Sequence, residues 1–278
     1  MKLRFWGVRG SFAMCGREFL RYGGNTTSIE LQTTSGKRLL IDLGTGATEF
    51  AKLLMGQEFG QGKGHLPVLL SHTHLDHIQG LPFFTPFFVK GNQIRILGAD
   101  PPTLGLQSTL QNQLAPHYSP LNGLENLAAG VKIETFVPGT SFQIDEFSIV
   151  TAAVPHGSTW TTAFRITADK KSVAFLSDVE YPAPDQPTPA AIALAQGVDL
   201  LIHDAMHADH EYDMRRGWGH SPAQAGVLLA TSAGAAKLAL THHSPDATDS
   251  MIDAVVARAR SQSKVPVFAA AEGNYLDI

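Results

Sequence analysis

The sequence predicts a mixed α/β fold with its sheets at the centre, and three observations carry that prediction. Short apolar runs of strand length recur along the whole chain. Segments with helical spacing fall between several of them. A composition of 44% hydrophobic and 17% charged residues over 278 positions is that of a chain burying a sizeable core, which excludes disordered and fibrous classes.

The run KLRFWGV opens the chain as a strand. SIELQ and RLLID follow around the turn residues Ser35 and Gly36 and predict a hairpin. ATEFAKLLM has helical spacing through Phe50, Leu53 and Leu54, after which PVLLS resumes the sheet. Further strands are expected at QIRIL, VKIETF and FSIVTAAV, while TAFRIT and SVAFLS meet across Ala168, Asp169 and Lys170. The second half repeats this grammar with VDLLIH, KLALT and VPVFAA as strands and a helix through MIDAVVARA. Another helix is expected to start with Ser221 as N-cap and Pro222 at its first position. The two halves are of similar length with no linker or low-complexity stretch between them, so residues 1–278 are expected to form a single domain. The Pro-rich YPAPDQPTP reads as a surface loop.

A net charge of -4 with no basic stripe disfavours long nucleic acid as a partner and favours a small substrate. Cys15 is the single cysteine, which excludes an internal disulfide or a Cys-rich zinc site and fits a reducing compartment. It is expected as a small, partly buried side chain. In MKLRFWGVRGSFAM, Arg4 and Arg9 interrupt the apolar residues before a core of signal-peptide length, and no span approaches transmembrane length. A cytoplasmic location away from membranes is expected.

The segment PVLLSHTHLDHIQG runs an apolar strand directly into His72, His74, Asp76 and His77. Three imidazoles and a carboxylate so close together are too polar for a core and suit metal. At a strand end the chain can wrap around a point, so His72 and His74 converge on one ion while Asp76 and His77 face a second. The donors suit two divalent ions, zinc first, with manganese or iron also accommodated. His156, Asp178 and His242 each lie at the end of a later apolar run, from where ligands on different strands can meet along one sheet edge.

This order, His-x-His-x-Asp-His followed by a His, an Asp and a His, resembles the metallo-β-lactamase superfamily. The resemblance implies an αββα four-layer sandwich with a dinuclear site at one edge of its two sheets. It implies that His72, His74 and His156 hold the first metal, Asp76, His77 and His242 the second, and that Asp178 bridges both. His243 directly follows His242, and the residues alone leave either as the last ligand; Thr241-His242-His243-Ser244 matches the Thr-His-x-Ser of the phosphodiesterase branch and favours His242. Asp42, before Gly44-Thr45-Gly46, stands where the family carries a residue that orients a ligand imidazole.

A second pair of motifs, His203-Asp204-Ala205 and Gly217-Trp218-Gly219-His220-Ser221-Pro222, resembles the tRNase Z and phosphonate phosphodiesterase branch. By that resemblance Asp204 orients His220, which protonates the leaving alkoxide, while Asp76 or Asp178 accepts the nucleophile's hydrogen bond. The implied chemistry is hydrolysis of a phosphodiester in a small nucleotide or cyclic nucleotide, with two metals lowering a water's pKa toward about 7. GVRGS, the run Arg21-Tyr22-Gly23-Gly24-Asn25-Thr26 and GLPFF resemble small bacterial members of the same branch, with Phe83, Phe84 and Phe87 expected in the core. Relatives of this kind imply a homodimer. Asp204 stands where tRNase Z has Glu, and neither a long basic arm nor a cysteine-built zinc site is present. The enzymatic alternative is a lactonase or thioesterase using the same metals on a carbonyl carbon, which has less need of an Asp-supported acid at His220. The alternative from another class is a non-catalytic metal or nucleotide sensor, against which the complete ligand set weighs.

Overall fold

Among the described residues the strands pair into two sheets of seven each. The computed structural model describes residues 1–101, 103–183, 185–273 and 275–278. The first sheet contains β1 (Lys2–Gly7), β2 (Ser28–Gln32), β3 (Arg38–Ile41), β4 (His65–Leu70), β5 (Gln93–Ala99) and β6 (Gly130–Phe136). The second contains β7 (Ser141–Ile144), β8 (Phe147–His156), β9 (Thr159–Ala168), β10 (Lys171–Leu176), β11 (Leu200–Asp204), β12 (Leu238–Thr241) and β13 (Val267–Ala269). The short β14 (Leu276–Asp277) returns to the first sheet and pairs antiparallel with β1.

The central strands β2 to β4 and β10 to β12 are buried on both faces, which is why they read as continuous apolar runs, whereas β6, β7 and β8 alternate between exposed and more buried residues. On one face, Phe5, Ile29, Leu31 and Leu69 of the first sheet meet Ile149, Phe164, Phe175 and Ile202 of the second in a shared central core. The outer face of the second sheet packs against α4 (Pro189–Ala195), α6 (Ala223–Ala233) and α7 (Asp249–Gln262). The outer face of the first packs against α1 (Gly46–Met55), through Phe50, Ala51 and Leu54, and against α3 (Leu106–Gln113), through Leu106 and Leu110. The layers are therefore helix, sheet, sheet, helix, the αββα sandwich. The turns α2 (Leu75–Ile78) and α5 (Tyr212–Arg215) belong to the loops at one edge. No helix among the described residues is long and apolar enough to cross a membrane.

Register brings the chemistry together. β10, β11 and β12 are mutually parallel, with Leu176 opposite His203 and Asp204 opposite Thr241, so the residues following them emerge at one edge. A backbone bond from the Thr162 amide to the Ser71 carbonyl, 2.9 Å, ties the end of β4 in the other sheet to the same edge. Arg9, fully buried, clamps the segment after His242: its guanidinium donates to the carbonyls of Gly23, Ser244 and Ala247 at 2.8, 3.0 and 2.6 Å.

Four expectations are corrected here. The N-cap of α6 is Pro222, not Ser221, because the Ser221 hydroxyl donates instead to the Val179 carbonyl. Cys15 is exposed rather than partly buried. YPAPDQPTP is not wholly a surface loop: Tyr181 is buried, with its hydroxyl 2.9 Å from His203 Nε2, and Pro189 already begins α4, while Pro184 lies outside the described residues. Phe84 and Phe87 are core residues, whereas Phe83 is 66% exposed.

Candidate metal centre

Asp42, Asp178 and His242 follow β3, β10 and β12 and adopt the left-handed backbone, with φ of 60°, 54° and 58°. That conformation costs a side-chain-bearing residue roughly 1–3 kcal/mol and gathers at functional sites. Close backbone approach is needed as well: a Cβ on Gly10, in GVRGS, would lie 2.3 Å from the His242 ring.

Among the described residues four overlapping groups that could hold a metal ion lie at this edge, each with its donor atoms within 4.8 Å of one another; two of them, His72, His74 and His156, and Asp76, His77, Asp178 and His242, share no residue. His74 Nδ1 and His156 Nε2 are 3.2 Å apart, and His77 Nε2 and His242 Nε2 3.4 Å. Asp178 reaches toward both sets: Oδ1 is 3.2 Å from His242 Nε2 and 3.8 Å from His72 Nε2, and Oδ2 is 3.1 Å from His77 Nε2. Asp76 Oδ2 stands 3.3 Å from both His77 Nε2 and His242 Nε2 and accepts the Ser11 amide at 2.7 Å.

The donor set fits divalent ions. Two ligands at 2.0–2.1 Å from a tetrahedral ion stand about 3.3 Å apart, the spacing seen between these imidazole nitrogens. His72 Nε2 is buried without a hydrogen-bond partner, and a bound cation would satisfy it. Electrostatics agree: although burial opposes it, the carboxylates of Asp178, Asp76 and Asp42 together push His77 well above the usual imidazole range. Burial, with His77 beside it, pushes His72 well below.

A family model described as a beta-lactamase superfamily domain matches residues 37–243, which span every one of these ligands. The chain belongs to the beta-lactamase superfamily. Ribonuclease Z of Prochlorococcus marinus (strain MIT 9303) is 27% identical over 221 residues, covering 64% of this chain and 69% of that protein. The metallo-beta-lactamase fold protein YhfI from Bacillus subtilis superposes with a TM-score of 0.73 at 21% identity, covering 99% of this chain and 98% of that one. The short form of human tRNase Z gives 0.70 at 20% identity, covering 100% and 99%.

In this member of the superfamily two of the clustered rings, His77 and His156, are held from behind. Asp42 Oδ2 accepts from His77 Nδ1 and from the Ser71 hydroxyl, both at 2.8 Å, and Oδ1 accepts from the Ser71 amide at 2.8 Å. His156 Nδ1 donates to the Gly219 carbonyl at 2.6 Å. Asp42→Asn leaves one acceptor oxygen for three donors, so metal affinity is expected to fall by about 10- to 100-fold. Competition with a chromophoric chelator measures it, and unchanged affinity would remove Asp42 from this role.

His220 and Asp204 lie beside the ligand sets. His220 Nδ1 is 2.9 Å from Asp204 Oδ2, while Asp204 also accepts the backbone amides of Asp178 and Met206 at 3.0 and 2.9 Å. Burial opposes charging of His220, but the hydrogen-bonded Asp204 carboxylate outweighs it and pushes the imidazole up to about 9. His220 is also near enough to His156 and Asp178 to be an alternative ligand. His220 Nδ1, committed to Asp204, also stands 3.9 Å from Asp178 Oδ1. His243 points elsewhere: its Nε2 is 3.1 Å from the Ala270 carbonyl, and burial lowers it to about 4.

A cavity of about 90 Å³ opens directly beside His72 and His74, walled by Ala99, Asp100, Thr159 and Trp160. A larger one of about 350 Å³, walled by Met206, His243, Ser244, Met251 and Val255, contains none of the clustered ligands and does not bear on the centre. Sequence reasoning did not find the Ser11 amide or the Gly219 carbonyl, since a backbone group leaves no residue-type signal. It did not find Arg9's clamp either, although an arginine between glycines in an apolar strand tail could have drawn notice.

Proposed function

We propose that this chain is a two-metal phosphodiesterase acting on a small nucleotide or cyclic nucleotide, with zinc as its preferred ion. The observation that carries the proposal is the Asp204–His220 pair, 2.9 Å apart and adjacent to both ligand sets. A hydrolase acting on a carbonyl carbon has little use for such a supported acid. Similarity to proteins named Ribonuclease Z and tRNase Z supports the same reaction type, because ribonucleases cleave phosphodiesters. The net charge of -4 supports a small substrate over a long polyanion.

In this scheme His72, His74 and His156 would hold one ion and Asp76, His77 and His242 the other, with Asp178 between them. When bound, such a pair neutralises phosphate oxygens and lowers a water's pKa toward neutrality. Asp76 uses Oδ2 to accept the Ser11 amide, which leaves Oδ1 to accept the hydrogen bond of the attacking water. Asp204 fixes the His220 tautomer and supports its charge, so that the proton leaves from Nε2 to the departing alkoxide. Positive charge held by the neighbouring ligands would draw His220 down from its value of about 9 toward the working pH.

A diester presents one negative charge at phosphorus where a monoester presents two, which suits a site already lined by the carboxylates of Asp76 and Asp178. Bis(4-nitrophenyl) phosphate is therefore expected to be hydrolysed faster than 4-nitrophenyl phosphate at equal concentration, and both faster than a lactone or a thioester. Equal or inverted diester and monoester rates, or a preference for the carbonyl substrates, would contradict the proposal.

A further inference from the structure

Glu180 is a buried carboxylate two residues past Asp178 that no step above uses. It sits between the two halves of the machinery. Its backbone amide donates to the Pro155 carbonyl at 2.8 Å, immediately before the ligand His156. Its side chain accepts the Gly217 amide on Oε1 and the Gly219 amide on Oε2, both at 2.6 Å, and the Tyr212 hydroxyl on Oε1 at 3.1 Å. Bonds of that length to a carboxylate are charge-assisted and stronger than neutral ones. The segment so held packs closely at Gly219: Gly217 and Gly219 take φ of 89° and 92°, and a Cβ on Gly219 would lie 2.4 Å from His156 Nδ1. The Gly219 carbonyl fixes the His156 ring at 2.6 Å, and the next residue is His220.

We infer that Glu180 is a positioning residue that links metal binding to proton delivery, by holding the Gly217–Gly219 segment that clamps His156 from one side and presents His220 from the other. The inference rests on the phosphodiesterase reading for the role of His220, but its metal-binding half stands apart from any substrate. A carboxylate satisfies both amides at once. A carboxamide has one acceptor oxygen and turns an N–H toward the second amide.

Glu180→Gln is expected to bind one of its two zinc equivalents about 10- to 100-fold more weakly by chelator competition, with the other equivalent unchanged. In the same variant kcat for a diester with an alkoxide leaving group should fall more than kcat for an aryl diester, with KM within about twofold of wild type on both. Tyr212→Phe, which removes only the hydroxyl contact, should match wild type. If Glu180→Gln does not fold, Glu180→Asp carries the same test, since it keeps both oxygens but draws them back by one methylene and should show the same pattern in weaker form. Wild-type affinity for both zinc equivalents, or equal losses on the two leaving groups, would overturn the assignment. A wild type that binds two zinc ions and hydrolyses no diester would instead overturn the proposed function, while the zinc arm would still decide the role of Glu180.

Discussion

Asp178→Ala is expected to lose both metals and to reduce diester hydrolysis by more than about 100-fold, because 10- to 100-fold is what loss of an outer-sphere partner alone costs. Among the described residues Asp178 is the carboxylate that faces both ligand sets, 3.2 Å from His242 Nε2, 3.1 Å from His77 Nε2 and 3.8 Å from His72 Nε2. Without it the first set is three neutral donors with no anion to balance a dication. The second keeps only Asp76. Binding to the folded state stabilises it by about 4 kcal/mol when the free ligand is at 1,000 times its Kd. Added zinc should therefore raise the melting temperature of wild type clearly and that of Asp178→Ala hardly at all, with Asp42→Asn in between. An Asp178→Ala protein that kept two tightly bound ions would contradict its place between the sets.

His220→Ala is expected to keep its metals and to lose about 10²- to 10⁴-fold in kcat/KM on substrates with alkoxide leaving groups, the usual range for removal of a general acid. Nitrophenolate leaves without a proton, so the loss on an aryl diester should be much smaller. Asp204→Ala should show the same pattern more weakly on the alkoxide substrate, since it removes the group at 2.9 Å that orients and charges the ring rather than the ring itself. Loss of metal from His220→Ala would instead make His220 a ligand, which its distance to His156 and Asp178 permits. Equal losses on both leaving groups would make it merely structural.

The parts of this molecule that were legible in the sequence are those in which residue type and local period carry the information. The central strands of the two sheets, β2 to β4 and β10 to β12, buried on both faces, announce themselves as apolar runs, and α1 shows its spacing through Phe50 and Leu54. The polar burst from His72 to His77 at the end of β4 is incompatible with a core and so marks the site edge. The choice between His242 and His243 was not legible from spacing, because the two are adjacent. It follows from the left-handed turn at His242 directly after β12, which sends one ring to the ligands and the other to Ala270. Ser221 misled for a related reason: a serine before a proline is a good helix start in isolation, but here a tertiary acceptor, the Val179 carbonyl, takes its hydroxyl. The helix α4 was hidden behind the prolines that precede it. Contacts made by backbone groups, such as the Gly219 carbonyl behind His156 or the Ser11 amide on Asp76, depend on how distant segments pack and leave no trace in residue type.

The most direct test of the central claim is to strip the protein with a chelator, return zinc stepwise, and follow bound metal and bis(4-nitrophenyl) phosphate hydrolysis on the same samples. The two ligand sets predict that binding continues to two equivalents per chain and that most of the activity appears only as the second site fills. Saturation at one equivalent with full activity, or full activity without metal, would contradict it.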